Sequence, residues 1–248
     1  MSNAARIFAG MAFCLGFISY PAVAQEITID GSEFYCVLEP NTEIEISAAV
    51  EGVLDEVKVQ RGDQIKRGQV LATLISGVER ASVELAEARV EYSKRKAVRN
   101  EELYKQNLIS IHEKDEMDTE VQIARLQLKQ AREQLKLRDI LSPINGVIVE
   151  QQKDAGEYVE TEPLLTAVSL DPLNVEAVAP ADFYWKLKVG MAARVTTLGA
   201  KSETYRAKVI LVDQVIDAAS GTIRVRLALP NPGNNIPAGL RCNVDFSE

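Results

Sequence analysis

From Val50 onward the apolar residues come in short runs, each broken by glycine and charge: Val53-Leu54, Val57, Val59, Ile65, then Val70-Leu71-Ala72. Such runs predict short strands separated by turns rather than helices. The same order of residue types returns 94 positions later without a gap. Glu51-Gly52-Val53-Leu54 falls on Asn145-Gly146-Val147-Ile148, Gly62-Asp63-Gln64-Ile65 on Gly156-Glu157-Tyr158-Val159, and Val70 to Leu74 on Leu164 to Val168. Each copy reads as a strand after a glycine, a turn at Gly-acid, a second short strand and a third. Neither copy is long enough to bury an apolar face alone, so the two are expected to pack face to face around one core. Gly52, Gly62, Gly146 and Gly156 are expected at turns that need positive φ or close backbone approach. They do not form a phosphate loop, since no Gly-x-Gly-x-x-Gly or Gly-Lys-Ser/Thr follows a strand.

Between the copies the period changes. Residues 77–138 contain no proline and, after Gly77, no glycine, and are rich in Ala, Glu, Lys, Arg, Leu and Gln, which predicts helix. Ser76-Gly77-Val78-Glu79 and Ser110-Ile111-His112-Glu113 each have the form of a capping box, so two helices are expected, with Pro143 stopping the second. Val83, Ala86, Val90, Ser93 and Ala97 form a three-four seam on the first, and Met117, Val121, Ala124, Leu128, Ala131 and Leu135 form one on the second. The two seams predict an antiparallel hairpin closed near Asn107-Leu108-Ile109, with arms ~45 Å long at 1.5 Å per residue. Its 13 basic and 12 acidic side chains are well mixed, as on the solvated flanks of a coiled coil.

The last third predicts a small barrel, with strands over Leu173–Val178, Ala192–Leu198, Tyr205–Val212, Thr222–Leu229 and Leu240–Phe246. The missing strand is expected from Phe34–Ile46, so that the barrel draws on both ends of the chain. The expected fold class is therefore mainly β with a coiled-coil hairpin. A strand over 33–47 belongs to the barrel, 48–75 and 140–170 make a sandwich, 76–139 make the hairpin that splits it, and 171–248 make the barrel.

Composition narrows the function. The 248 residues carry 28 Lys and Arg against 36 Asp and Glu, a net charge of −8, which excludes a polytopic transporter and a basic nucleic-acid binder. Residues 1–24 have the form of a secretory signal: Arg6, an uncharged apolar stretch over Ile7–Ala24, and Ala22-Val23-Ala24 before Gln25. A retained anchor is the alternative, because the stretch approaches the ~20 residues that span a bilayer. Lipidation at Cys14 is disfavoured by the bulky Phe13 before it. Cleavage removes Arg6 and no acid, taking the net charge to −9. In an oxidising compartment Cys36 and Cys242, brought together by the barrel, are either a disulfide or two buried thiols. His112 is the only histidine, Met117 belongs to a seam and Met191 stands alone, so neither a metal site, a bound cofactor nor a catalytic triad is expected. Asp213 and Asp217 flank a barrel turn, where Asp is common without catalysis.

A glycine-flanked β half-motif, a helical hairpin, a second half-motif and a small barrel, in that order, resemble the periplasmic adaptors, or membrane fusion proteins of HlyD type, of bacterial tripartite efflux pumps. The resemblance covers roughly residues 33–248. It rests on Val50-Glu51-Gly52-Val53 through Gln69-Val70-Leu71-Ala72, on Leu141-Ser142-Pro143-Ile144-Asn145-Gly146-Val147, on Ala218 to Arg226, and on Ile236-Pro237-Ala238-Gly239-Leu240. The half-motifs are similar to those of lipoyl and biotinyl carrier domains, but the turn where a carrier needs its lysine is here Ile75-Ser76-Gly77. Adaptors of RND-type pumps carry at the hairpin tip an Arg, a Leu four residues on and a Ser seven beyond that, which dock into a TolC-type outer-membrane channel. Arg99, Leu103 and Ser110 stand at those spacings.

The resemblance thus implies a forked donor at Arg99, an apolar knob at Leu103 and a hydroxyl at Ser110. Plainer readings stand beside each: an exposed arginine paired with a glutamate, a leucine packed in the hairpin end, and a helix N-cap. The resemblance further implies an inner-membrane transporter as partner, of RND type or else ABC type, self-association into a ring, a periplasmic location at the inner membrane, and no enzymatic activity. Many such adaptors have a further membrane-proximal β domain; here the barrel, with or without a retained N-terminal anchor, is expected to take that place.

Overall fold

A repeat of short strands can bury itself only by borrowing neighbours, and the computed structural model, which describes residues 33–199 and 202–246, shows how. The segment 1–24 expected to be a signal, with Cys14, lies outside the described residues. Along the chain run β1 (Glu33–Glu39), β2 (Thr42–Ser47), β3 (Gly52–Val57), β4 (Gln64–Ile65), β5 (Val70–Leu74), α1 (Gly77–Lys105) and α2 (Ile111–Lys136). Then come β6 (Asp139–Leu141), β7 (Gly146–Gln151), β8 (Tyr158–Val159), β9 (Pro163–Ser169), β10 (Leu173–Pro180), β11 (Ala192–Thr197), β12 (Thr204–Val212), β13 (Thr222–Leu229) and β14 (Arg241–Asp245).

Two four-stranded sheets, ordered β2-β9-β7-β4 and β6-β5-β3-β8, form the sandwich. The offset of the repeat maps each strand of one sheet onto its counterpart in the other, and it also reaches β2 and β6, which the sequence reading did not pair. The short strands are exchanged: β4 of the first copy pairs with β7 of the second, and β8 of the second with β3 of the first. The clasp is symmetric to the individual bond. Leu54 N–H donates to Glu157 O and Gly156 N–H to Leu54 O, both at 2.8 Å; Ile148 N–H donates to Asp63 O at 3.0 Å and Gly62 N–H to Ile148 O at 2.8 Å. Leu54, Leu71, Leu74, Ile148, Leu164 and Leu165 fill the space between the sheets.

The four repeat glycines divide into two kinds. Gly62 and Gly156 lie at φ +97° and +91°, where a side chain is strained whatever the space. At Gly146 a Cβ would stand 2.0 Å from the Val168 carbonyl oxygen, and at Gly52 one would stand 2.8 Å from Arg138 Nη1, so these two serve close approach.

The hairpin grows from adjacent strands, since β5 pairs antiparallel with β6. Every residue of the two seams is at least half-buried, with Val90, Ser93, Val121, Ala124 and Ala131 fully so. Ser110 forms the expected capping box with Glu113. Ser76 does not: it precedes α1 with no side-chain cap bond, because Glu79 turns to the root instead. There Arg138 donates through Nη2 to Glu79 Oε1 at 2.6 Å and through Nη1 to the Glu51 carbonyl at 2.9 Å, tying both arms to β3. Nor does Pro143 end the second helix, which stops at Lys136 before β6 begins. The local reason is that β5 offers β6 a ladder, and this outcompetes another helical turn.

The barrel is closed, in the order β1-β10-β13-β12-β11-β14. The stretch 33–47 is not one barrel strand. It breaks at Pro40-Asn41: β1 enters the barrel between β10 and β14, while β2 crosses into the sandwich and pairs with β9. Proline has no N–H for a ladder, which makes the break a natural place to change sheets. Cys36 and Cys242 are directly opposite on β1 and β14, buried in the barrel core, and joined as a disulfide across 206 residues of chain.

Two outcomes follow from this packing. Gly146→Ala should destabilise the fold by about 2–4 kcal/mol, because the methyl meets a backbone carbonyl that cannot rotate away, whereas Gly77→Ala, with open space around it at the start of α1, should not lower the melting temperature. Alkylation without reductant, mapped by mass spectrometry on the denatured protein, should leave Cys36 and Cys242 unlabelled, and reduction should cost about 2–5 kcal/mol of stability.

Candidate functional site

The far end of the hairpin is built by backbone bonding. At the end of α1, Asn107 N–H donates to Tyr104 O and Leu108 N–H to Leu103 O, both at 2.9 Å, with Asn107 at φ +59°. This is a Schellman closure with asparagine in the left-handed position that glycine more often takes. α2 then starts from its capping box, in which Glu113 N–H donates to Ser110 Oγ at 3.2 Å while Ser110 N–H and Oγ donate to Glu113 Oε2 at 2.7 and 2.9 Å. Those bonds hold the Glu113 carboxyl below the usual carboxylate range, the Ser110 backbone contributing most. The stabilisation is therefore present above the ordinary glutamate value and is lost as the pH falls through the lowered one.

Around this turn the side chains are apolar and uncovered. Leu103 is 37% exposed, Leu108 65% and Ile111 56%. Only Leu103 was singled out from the sequence; Leu108 and Ile111 carried the same signal, as apolar residues in a turn and at a helix start, where nothing in the hairpin needs them. Arg99 lies one helical turn from Leu103, exposed, in a shallow groove with Glu91, Lys94, Arg95 and Val98. Ser110 is exposed, but its hydroxyl is already engaged in the cap. The structure thus places Arg99 and Leu103 on one side of α1 and Ser110 across the turn. The seam grows polar toward this end: Lys96 pairs with Glu120 at 2.8 Å, Asn100 meets the Met117 sulphur, and Lys114 reaches Glu101 at 3.4 Å and lies 5.5 Å over the Tyr104 ring.

The flanks hold a second apolar pattern. Val78, Ala81, Leu85, Ala88 and Tyr92 recur at three and four residues, all exposed, on the face of α1 turned away from α2. On α2, Ile123 and Leu126 occupy the equivalent outward positions. A two-stranded coiled coil needs one seam per helix, so a second one on each outer flank is unspent. The three-four spacing of Val78, Ala81, Leu85, Ala88 and Tyr92 makes this stripe legible in the sequence, although one seam is enough to explain a hairpin. Among the described residues no group of His, Cys, Asp and Glu is arranged to hold a metal, and no helix is long and apolar enough to cross a membrane.

Residues 42–169 match the CzcB-like, barrel-sandwich hybrid domain, and residues 173–248 match the CusB-like, beta-barrel domain. Among curated relatives, an uncharacterised protein of Haemophilus influenzae is 24% identical over 206 residues, 82% of this chain and 54% of its own. The multidrug resistance protein MexA of Pseudomonas aeruginosa is 21% identical over 220 residues, 82% of this chain and 57% of its own. The chain therefore spans a little over half the length of these relatives. A solved MacA-MexA chimera, containing the Pseudomonas aeruginosa MexA α-hairpin domain, superposes with a TM-score of 0.71 over 87% of this chain and 82% of its own at 20% identity, a likeness of fold. With two half-motifs closed into one sandwich, a hairpin inserted between them and a CusB-like barrel after it, the chain belongs to the membrane fusion proteins, the family of the periplasmic adaptors of efflux pumps.

Proposed function

We propose that this protein is the periplasmic adaptor that links an inner-membrane transporter of RND type to a TolC-type outer-membrane channel for the efflux of small molecules. The observation that carries the reading is the hairpin itself: a two-helix arm whose apolar surface is unspent at its tip and on both outer flanks. A tip of Leu103, Leu108 and Ile111 beside Arg99 suits the helical end of a channel, the leucines entering between helices and the guanidinium forking onto carbonyls or carboxylates. Relatives named as an antibiotic efflux pump periplasmic linker and a multidrug resistance protein support the class of cargo.

Side-by-side assembly of several copies fits the same surface. The α1 stripe of one copy would face Ile123 and Leu126 on α2 of the next, a head-to-tail contact that closes into a ring when the rotation allows. The sandwich is complementary in the same sense: β2 at one edge of its sheet exposes Glu43 and Glu45, and beyond β4 at the other edge Lys66 and Arg67 are exposed. In this assembly hairpins form a tube against the channel, sandwiches form a ring below it, and barrels face the transporter. The protein performs no chemistry; it seals the conduit and passes conformational change from the energised transporter.

Three measurements test this. A photo-crosslinker at Leu103 should capture the outer-membrane channel, and capture from mid-arm positions but never from the tip would reject docking there; co-purification of an ABC exporter in place of an RND transporter would overturn the transporter class. Leu85→Glu with Tyr92→Glu should abolish self-association in sedimentation while leaving the melting temperature within ~2 °C, since both positions are exposed.

A further inference from the structure

The strand registers fix what stands at each end of the barrel. β1 leaves toward the sandwich at Glu39, beside Asn174 at the start of β10, so the linkers to the sandwich occupy one end. At the other end Glu33 pairs with Asp245, Asp245 with Arg194, and Pro180 with Thr222. That end therefore gathers three features: the entry of the chain into β1, the crossover from β10 to β11, and the β12–β13 loop over residues 213–221.

The crossover works as a plug. A single 3-10 turn at Ala181–Phe183 sends Phe183 inward, 4.9 Å from the Phe34 ring, and Leu187 is buried in the barrel core. Of the three residues between those anchors, Tyr184 packs against the barrel core, and Trp185 and Lys186 face out. Trp185 is 84% exposed, with its ring edge-on to Tyr184. Val215, at the tip of the neighbouring loop, is 80% exposed, and Tyr35, two residues into β1, is 80% exposed. Leaving a tryptophan uncovered is unusual for a side chain that carries more apolar area than any other.

The charges around it are asymmetric in their partners. Asp213 pairs with Arg224 at 3.3 Å, Asp245 with Arg194 at 2.9 Å, and Asp217 accepts the backbone N–H groups of Ala219 and Ser220 at 2.9 and 3.2 Å. These three carboxylates are thus engaged within the fold, while Asp182, on the plug itself, is exposed. Lys186 and Lys188, which follow the tryptophan on the plug, have no ion pair among the described residues; Lys186 lies 4.9 Å over the Phe183 ring. Exposed Trp and Tyr with free lysines beside them are the composition of a lipid–water boundary, where the ring sits at headgroup depth and the ammonium meets phosphate.

We propose that the plugged end of the barrel is a phospholipid-docking surface, with Trp185 seated among the headgroups and Lys186 and Lys188 paired to lipid phosphate. This goes beyond the adaptor reading and does not need it: failure of tip docking would leave the lipid contact intact, and the reverse holds too. Such a contact would set the barrel directly on the bilayer instead of leaving its placement to a protein partner alone.

Trp185 is the only tryptophan in the sequence, so its fluorescence reports on this site and no other. The purified full chain would be mixed with vesicles of phosphatidylethanolamine and phosphatidylglycerol, with and without brominated acyl chains. A blue shift and bromine quenching of Trp185 are expected. Emission that stays at its exposed value overturns the proposal even where the protein sediments with vesicles, because the apolar run upstream could then be the part that binds. Shielding of Trp185 only after a transporter is added overturns it as well, in favour of a protein contact. Lys186→Glu with Lys188→Glu, exposed changes that keep the tryptophan, should weaken quenching on anionic vesicles by about tenfold or more at low salt; quenching unchanged by this variant contradicts the phosphate contact.

Discussion

Everything distinctive about this chain depends on the exchange of two short strands between the halves of its sandwich. Neither β4 nor β8 is longer than two residues, and each finds its partner in the other copy. The four hydrogen bonds among Leu54, Gly62, Asp63, Ile148, Gly156 and Glu157 hold that exchange. Because each half is incomplete without the other, whatever lies between them in sequence must leave and return at one place. It does so through β5 and β6, antiparallel neighbours, which forces the intervening helices to be antiparallel too. Arg138 then locks the angle of departure, joining Glu79 at the foot of α1 to the Glu51 carbonyl beside β3.

Along the hairpin, cohesion changes character. Near the root and middle the seam is small and apolar, with alanine, valine and serine allowing close approach, while the outer third is held by Lys96–Glu120, Asn100–Met117 and the Lys114 cluster. Exposed ion pairs contribute little, ~0.2–1 kcal/mol each, so the outer third opens at lower cost than the root. A firm base with a yielding end suits an arm that must settle against another helical surface.

Much of this was legible in the sequence. A gapless offset between two copies fixed the sandwich, the three-four spacing fixed the hairpin, and Ser110 with Glu113 marked the start of α2. The misreadings share a cause. Ser76 and Glu79 have the letters of a capping box, but a guanidinium from 59 residues away claims the glutamate, and no local rule sees it. Phe34–Ile46 reads as one strand because its alternation continues across Pro40, whereas the tertiary partners change there from barrel to sandwich. At the tip, Ser110 caps its own helix, as the plainer reading of it expects, while Leu108 and Ile111 stand exposed beside it.

The barrel has a consequence for the order in which the protein is made. β1 lies between β10 and β14, the last of which ends at Asp245, so the first strand to emerge from the ribosome waits for the last before its place is filled. The sandwich and hairpin, complete by Ser169, can already be shaped by then. The Cys36–Cys242 bond afterwards turns the polypeptide into a closed loop that encloses both of them. A pull on the hairpin is then borne by a covalent ring, and tension cannot peel the barrel open from its seam between β1 and β14.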